Sequence, residues 1–468
     1  MLLGQKFQRF VEESPISVMV RGILENAFNP DQVDALFERT ADSQYTRDLL
    51  FSSLTELMCE VVLDVSPSVR AAYQANAKKI GVSATSVYNK LDGVESNVSA
   101  ELVRDSVNRF APLIRKMGAT LSPLLPGFRV KILDGNHFSG TDHRIKELRT
   151  MRAGALPGQA LVVLDPELKL AIDVFPCEDG HTQERALLQG VLPSVRLGDL
   201  WIADRNFCTT KFVFGLMERQ GYFLIRQHAS TLHWKTLGKR KYKGKTATGK
   251  VYEQRVELKN PQTNQTRIVR RITIELFEPT RGGDTVMHIL TNVPVSSATA
   301  VHLAKLYRKR WTIETMFQEL TETLTCEVKT LGYPKAAVFA FCLALVAYNA
   351  ISVVKAALRA VHGEETIENN VSGYYMSLEI SRTTTGMMIA IPIEEWIVFH
   401  NLTCAQIARF LKALAAKMDL SKYQKHPRGP KKPKPKKTSG DKIKHVSTAR
   451  ILAKRIRKKN STLTGLRS

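Results

Sequence analysis

Acidic residues are almost missing from one end of this 468-residue chain. Between Ser421 and Ser468 there is a single acid, Asp441, against 17 Lys and Arg, so 16 of the 24 net positive charges lie in the last 48 residues. The other 420 residues carry the remaining 8. Such a surface is unsuited to a cationic partner and suits a polyanion, nucleic acid first, with a merely solubilising tail as the plain alternative. Cysteine is sparse and unpaired in sequence. Cys59, Cys177, Cys208, Cys326, Cys342 and Cys404 form no Cys-x2-Cys, and no His/Cys cluster has zinc spacing. That excludes a structural zinc site and fits a reducing cytosol. The opening MLLGQKFQRFVEES lacks the apolar core of a signal peptide. There is no internal repeat. Long apolar runs are limited to AAVFAFCLALVAYNAISVV (336–354), which is flanked by Lys335 and Lys355 and holds Tyr348 and Asn349. It is expected to be a helix buried in protein, with no membrane as partner.

The length suggests two to four domains, and the pattern of the chain changes several times. Residues 1–120 read as helical, with Leu102, Val103, Val107, Phe110 and Leu113 on one face of a helix over Glu101–Met117. Inside this region ANAKKIGVSATSVYNKLDG (75–93) has helix-turn-helix spacing. Ile80 ends one helix, Gly81 turns, Ser83 caps the next, and Val87 and Leu91 face inward. Thr85, Ser86, Asn89 and Lys90 would then face DNA, although ordinary helix-loop-helix packing has the same pattern. Residues 121–228 alternate differently, as strand, strand, strand, helix, strand, helix, strand: FRVKILDGNHF, ALVVLD and KLAIDVFP, a helix near Thr182–Val195, DLWIADRNF, a helix near Thr210–Gln220, then YFLIRQH. Pro166 and Glu167 make the second and third strands a hairpin. Residues 229–294 hold the Lys/Gly-rich KTLGKRKYKGKTATGK and three alternating runs, a β-rich insertion with a basic hairpin. Helices return over 295–360 and 361–420. The tail 421–468 starts with a Pro/Lys run that cannot pack and ends in TARILAKRIRKKN, which can form a basic helix on DNA.

Two carboxylates stand out. Asp134 ends the first strand (KILD) and Asp204 the fourth (WIAD). An acid at the end of an apolar strand pays desolvation unless a turn or a cation satisfies it. A turn-capping Asp explains either one alone. If the first and fourth strands are neighbours, both acids meet at one sheet edge, a site for a hard divalent cation. A third ligand would come from a helix packed on the sheet. In LYRKRWTIETMFQEL (306–320), Tyr307, Arg310 and Glu314 fall within about 60° of one another on a helical wheel. Trp311, Ile313 and Phe317 form the packing side. An i, i+4 Arg–Glu pair is the purely structural explanation.

These strings, ILDGNHF, IADRNF and YRKRWTIE, with acids on the first and fourth strands and a third on a late helix, resemble the insertion-sequence-four family of DDE transposases. The resemblance covers residues 128–355. It implies an α/β, RNase H-like mixed-sheet catalytic core with a β-rich insertion, an N-terminal helical DNA-binding region, C-terminal helices and a basic tail. It makes Asp134, Asp204 and Glu314 the catalytic acids and the ligands of two Mg²⁺ ions, with Mn²⁺ able to replace them. It makes Tyr307 and Arg310 phosphate contacts. The family signature continues with a lysine where this chain has Thr321, and Lys329 is the expected substitute. Arg205, Arg226 and Lys90 are further expected DNA contacts, and Trp234 is the expected platform for a flipped base. The implied activity is cut-and-paste transposition in the bacterial cytoplasm, at the nucleoid. A homodimer would act on terminal inverted repeats and target DNA through a hairpin intermediate. Three alternatives stand beside this one: a tyrosine recombinase using Tyr307, an RNase H-like nuclease, and a lapsed transposase that only binds DNA.

Overall fold

The computed structural model describes residues 3–44, 48–228, 231–280, 282–426 and 445–465. Seven helices come first: α1 (Gln8–Glu13), α2 (Pro15–Ala27), α3 (Pro30–Thr40), α4 (Phe51–Val62), α5 (Val69–Ile80), α6 (Ala84–Gly93) and α7 (Ser96–Lys116). Their ends follow local chemistry. The Asn29 side chain accepts from the Gln32 amide ahead of α3, where Pro30 takes the first position. Helix α5 stops at Gly81, whose φ of 70° is left-handed, and Ser83 caps α6 by accepting from the Ser86 amide. Val87 and Leu91 are buried as expected, and so are Leu102, Val103, Phe110 and Leu113 of α7, with Val107 partly so.

The strands are β1 (Arg129–His137), β2 (Gly154–Leu156), β3 (Gln159–Asp165), β4 (Leu170–Cys177), β5 (Asp199–Ala203), β6 (Tyr222–Arg226), β7 (His233–Thr236), β8 (Lys241–Thr246), β9 (Gly249–Lys259), β10 (Thr266–Leu276) and β11 (Val286–Thr291). Helix α8 (Glu184–Val191) joins β4 to β5, and α9 (Thr210–Glu218) joins β5 to β6. Among the described residues one sheet runs β4-β3-β1-β5-β6-β11-β10-β9-β7, with β8 on β9. The β4-β3-β1 half is antiparallel and the β1-β5-β6 half parallel, the strand arrangement of an RNase H-like core. The turn between β3 and β4 is closed by Asp165, whose carboxylate accepts from the Glu167 and Leu168 amides. The expected insertion is β-rich, but it does not form a sheet of its own. Strand β11 pairs antiparallel with β6 and carries the sheet onward. Buried Arg270 fastens this extension, donating to Glu253 at 2.6 Å and to the carbonyls of Val293 and Ala298 at 2.9 Å.

Side chains alternate between two cores. Ile132 and Ile202 face the larger one, and Leu133 and Ala203 face a smaller one with α8 and α9. The larger core is built around α12 (Pro334–His362), preceded by α10 (Ala300–Tyr307) and α11 (Trp311–Thr323) and followed by α13 (Glu364–Asn370), α14 (Gly373–Ala390), α15 (Ile393–Trp396) and α16 (Cys404–Ala415). Helix α12 is long and apolar enough to cross a membrane, with mean hydropathy 2.2 over its best window, and that window is entirely buried in protein. One of its buried polar residues closes a strand edge. Asn349 covers the edge strand β4, accepting from the Ala171 amide at 2.8 Å and donating to the Ala171 carbonyl and to Ser106, each at 3.0 Å. The Pro/Lys run over 427–444 lies outside the described residues. After it, β12 (His445–Ser447) pairs parallel with β2, and TARILAKRIRKKN lies in α17 (Thr448–Gly465).

Asn349→Leu keeps the side-chain volume but strands the Ala171 amide and carbonyl in the core. It should cost about 3 kcal/mol in a denaturant unfolding titration. An unchanged midpoint and slope would show that the Asn349 bonds do not stabilise the fold.

Candidate active site

Strands β1 and β5 are parallel neighbours with Leu133 beside Ala203. The next residues, Asp134 and Asp204, therefore stand at the same level; Asp204 follows the last residue of β5, but Asp134 does not end its strand as expected, because pairing with β3 carries β1 on to His137. Because Ile132 and Ile202 face the larger core, the alternation of strand side chains puts both acids on that face. Helix α11 packs on the same face through Ile313, Met316 and Leu320. The two acids are satisfied differently. Asp204 accepts from the Arg205 amide at 2.5 Å and caps a short 3₁₀ turn, Arg205–Phe207. Asp134 accepts from the Gly135 amide at 3.0 Å and is held from across the site by Arg310.

Tyr307 and Glu314 do not share one continuous helix. A 3₁₀ turn, Arg308–Arg310, separates α10 from α11, and it drops Arg310 into the site. Only 8% exposed, Arg310 reaches Asp134 Oδ2 with Nη1 at 2.9 Å and Glu314 Oε1 with Nη2 at 2.5 Å. One guanidinium thus joins the strand acid to the helix acid. Burial drives the Asp134 carboxyl up to about 6; Arg310 and the Gly135 amide oppose that, and the charges of Asp204 and Glu314 add to it. Tyr307 is buried and its hydroxyl donates to the Ala203 carbonyl at 3.4 Å, bracing the end of β5. Burial pushes its phenol far up.

The donor set, three carboxylates and nothing softer, fits a hard divalent cation. Yet among the described residues no three acidic, His or Cys side chains already stand together as a metal cluster. Arg310 supplies the positive charge that Asp134 and Glu314 require, so a bound cation competes with it.

Other expected contacts fall in varied settings. Arg205 is exposed beside Asp204. Arg226 is ion-paired with Asp284 at 2.7 Å. Trp234 is half-buried with the Arg271 guanidinium 4.6 Å from its ring centre, so one face is covered. Lys329 is exposed but not helical, because α11 ends at Thr323; its carbonyl accepts from the Asp142 amide at 2.8 Å. Thr321 turns back on its own helix, donating to the Phe317 carbonyl. Lys90 does not project with Thr85, Ser86 and Asn89; it lies 4.3 Å over the Phe37 ring.

Two features escape a reading by period. Trp311, placed on the packing side of an ideal helix, is 62% exposed beside Arg310, because the 3₁₀ turn rotates it outward. Glu184, in the first turn of α8, is tucked behind β1. A Cβ at Gly135 would lie 2.2 Å from its Oε1, and Asn206 donates to its Oε2 at 3.4 Å. The glycine in ILDGNHF is the signal that something approaches the strand closely.

Residues 126–350 match the family model for the transposase DDE domain. Among solved structures, the chain is similar to the piggyBac transposase in its cryo-EM synaptic complex with hairpin DNA, at 10% identity and a TM-score of 0.32, over 87% of this chain and 82% of that one. No curated protein matches the chain.

A carboxyl raised in the folded state binds its proton more tightly there than in the unfolded chain. Its ionisation therefore removes stability as pH rises from about 4 through about 6. In EDTA, Asp134→Asn should gain in melting temperature relative to the parent over that window, and the difference should be flat below it. A difference independent of pH would mean that Asp134 is not buried as described.

Proposed function

We propose, from the transposase DDE domain that residues 126–350 carry, that the chain is an insertion-sequence transposase of the insertion-sequence-four type. It cuts DNA at transposon ends and joins the released ends to target DNA. The observation that carries this reading is the placement of Asp134 and Asp204 at one level of two parallel strands, with Glu314 tied to them through Arg310. Asp134, Asp204 and Glu314 would hold divalent cations, Mg²⁺ or Mn²⁺. When bound, these supply Lewis-acid stabilisation of the scissile phosphate and of its attacking and leaving oxygens.

The chain's own residues do the rest. The buried Arg310 is a charge that the acids cede to a phosphate once a cation takes its place. Tyr307, with its hydroxyl on the Ala203 carbonyl, fixes the end of β5 and so the position of Asp204. Arg205, exposed next to Asp204, is placed to touch the DNA backbone, and Lys329 and Arg226 lie on flanking elements. Trp311, exposed beside Arg310, suits stacking of an unpaired base better than Trp234 under Arg271. Hydrolysis leaves a 3′-hydroxyl, which then attacks the opposite strand to close a hairpin. No covalent protein–DNA bond forms, and the burial of Tyr307 argues against a tyrosine nucleophile. Two copies synapse two ends, in the cytoplasm at the nucleoid, and the α5–α6 pair, with Thr85, Ser86 and Asn89 outward, contributes to end binding.

The test mixes the full chain with an end-bearing duplex in Mg²⁺ or EDTA, beside Glu314→Gln. Nicking that leaves a 3′-hydroxyl, needs the metal and falls about 100-fold or more in the variant is expected. Binding without cleavage in any divalent metal would favour a lapsed transposase, and cleavage that survives both EDTA and the substitution would sink the site.

A further inference from the structure

The C-terminal arm returns to the catalytic edge of the sheet. Strand β3 begins at Gln159 opposite His137, and β4 ends at Cys177 opposite Gln159. The segments just outside them, β2 and Asp179, thus lie beyond the His137 end of β1, three residues past Asp134 on the side of the sheet edge where Asp204 follows β5. The arm attaches there in three ways. Strand β12 adds to β2 in parallel, with Val446 beside Ala155. Val446, Ile451 and Leu452 pack on a small core of Ile145, Leu148 and Ala155. Arg450 pairs with Asp179 at 2.7 Å and Arg455 with Glu147 at 3.3 Å. Burial opposes ionisation of Asp179, but hydrogen bonds from Ser447, Arg450, the His181 amide and Thr182 hold its carboxyl down at about 2. The docked contact is therefore charged at any ordinary pH.

The docking engages two acids, Asp179 and Glu147. In the loop between β1 and β2, Asp142 is paired with Arg144 and Glu147 with the arm. Left over and exposed are Lys146, Arg149 and Arg152 of the loop and Lys454 and Arg457 on the outer side of α17. Among the described residues none of these five makes an ion pair. The loop is itself fastened to the segment after α11, through Ser139 on Glu327 and the Asp142 amide on the Lys329 carbonyl. It is held in place relative to the acids.

We propose that β12–α17 and the loop over 138–153 together form a docked clamp for the phosphate backbone of duplex DNA, set beside the catalytic acids. The choice of DNA over another polyanion rests on the transposase reading; the clamp itself does not. A membrane surface is a poor alternative, because Ile451 and Leu452 are spent on docking and, among the described side chains of α17, Ile456 is the one large apolar residue left exposed.

The experiment measures binding of the full chain to a duplex of about 30 base pairs in EDTA, across a range of KCl, by fluorescence anisotropy. Lys454→Gln/Arg457→Gln should lower the slope of log K against log salt by about 1.8, two phosphate contacts' worth. Leu452→Asn, which undocks the arm without touching its charges, should lower it at least as far, with hydrogen exchange confirming release of β12 and a parental melting transition showing that the body is folded. An unchanged slope in the double variant overturns the clamp, as does a parental slope with the arm released. If the slope falls but the parent never cleaves, the clamp stands and the transposase reading fails; cleavage with unaltered slopes is the reverse.

Discussion

The parallel pairing of β1 with β5 is the constraint on which the site depends. The two strands are distant in sequence and run side by side only because α8 and the β3–β4 hairpin lie between them in the chain. A register with Leu133 beside Ala203 brings two acids to one level and one face. Slipping either strand by a single residue would send its acid to the opposite face, against α8 and α9, where Glu184 already stands. The register is secured by apolar alternation on both faces, so the cores that stabilise the sheet also position the two acids.

That arrangement puts three carboxylates near one another on a face that is largely buried, which is unfavourable unless positive charge is supplied. Arg310 supplies it from within the chain. A buried ion pair of this kind contributes little net stability, but removing one partner is costly, so the guanidinium serves as a built-in counter-charge for acids whose other ligand would be a divalent cation. The 3₁₀ turn at Arg308–Arg310 is what delivers it. The same turn carries Trp311 outward, so one local departure from α-helical geometry sets both the electrostatics of the site and its exposed aromatic surface.

Much of the layout was legible beforehand, for identifiable reasons. Acids directly after the apolar runs of KILD and WIAD are conspicuous because desolvation makes them rare without a purpose, although only Asp204 ends its strand and β1 runs on past Asp134 to His137. The Gly81 and Ser83 boundary of α5 and α6 follows from left-handed φ and side-chain capping, both local properties. Asn349 within the apolar run of α12 showed only as an anomaly; that it covers the β4 edge depends on a contact between residues 178 positions apart. Helical period places Lys90 outward, but it tells only which face a residue is on, and not that a long side chain folds over Phe37 or, at Glu184, reaches back to Gly135. Lys329 was placed by extending a helix that stops at Thr323.

By itself the sequence determined what depends on neighbours along the chain: the order of strands and helices, their caps, the excess of positive charge at the C-terminus, and two acids that each follow an apolar strand run with a third on a late helix. Tertiary structure alone decided which of them meet. It joined the insertion to the core sheet through β6 and β11, inserted Arg310 between Asp134 and Glu314, and brought β12 back beside β2. The physical reason is that these outcomes are set by burial and by pairing between distant segments. Their free energies depend on what covers each face and edge, and periodicity within a segment carries no record of that.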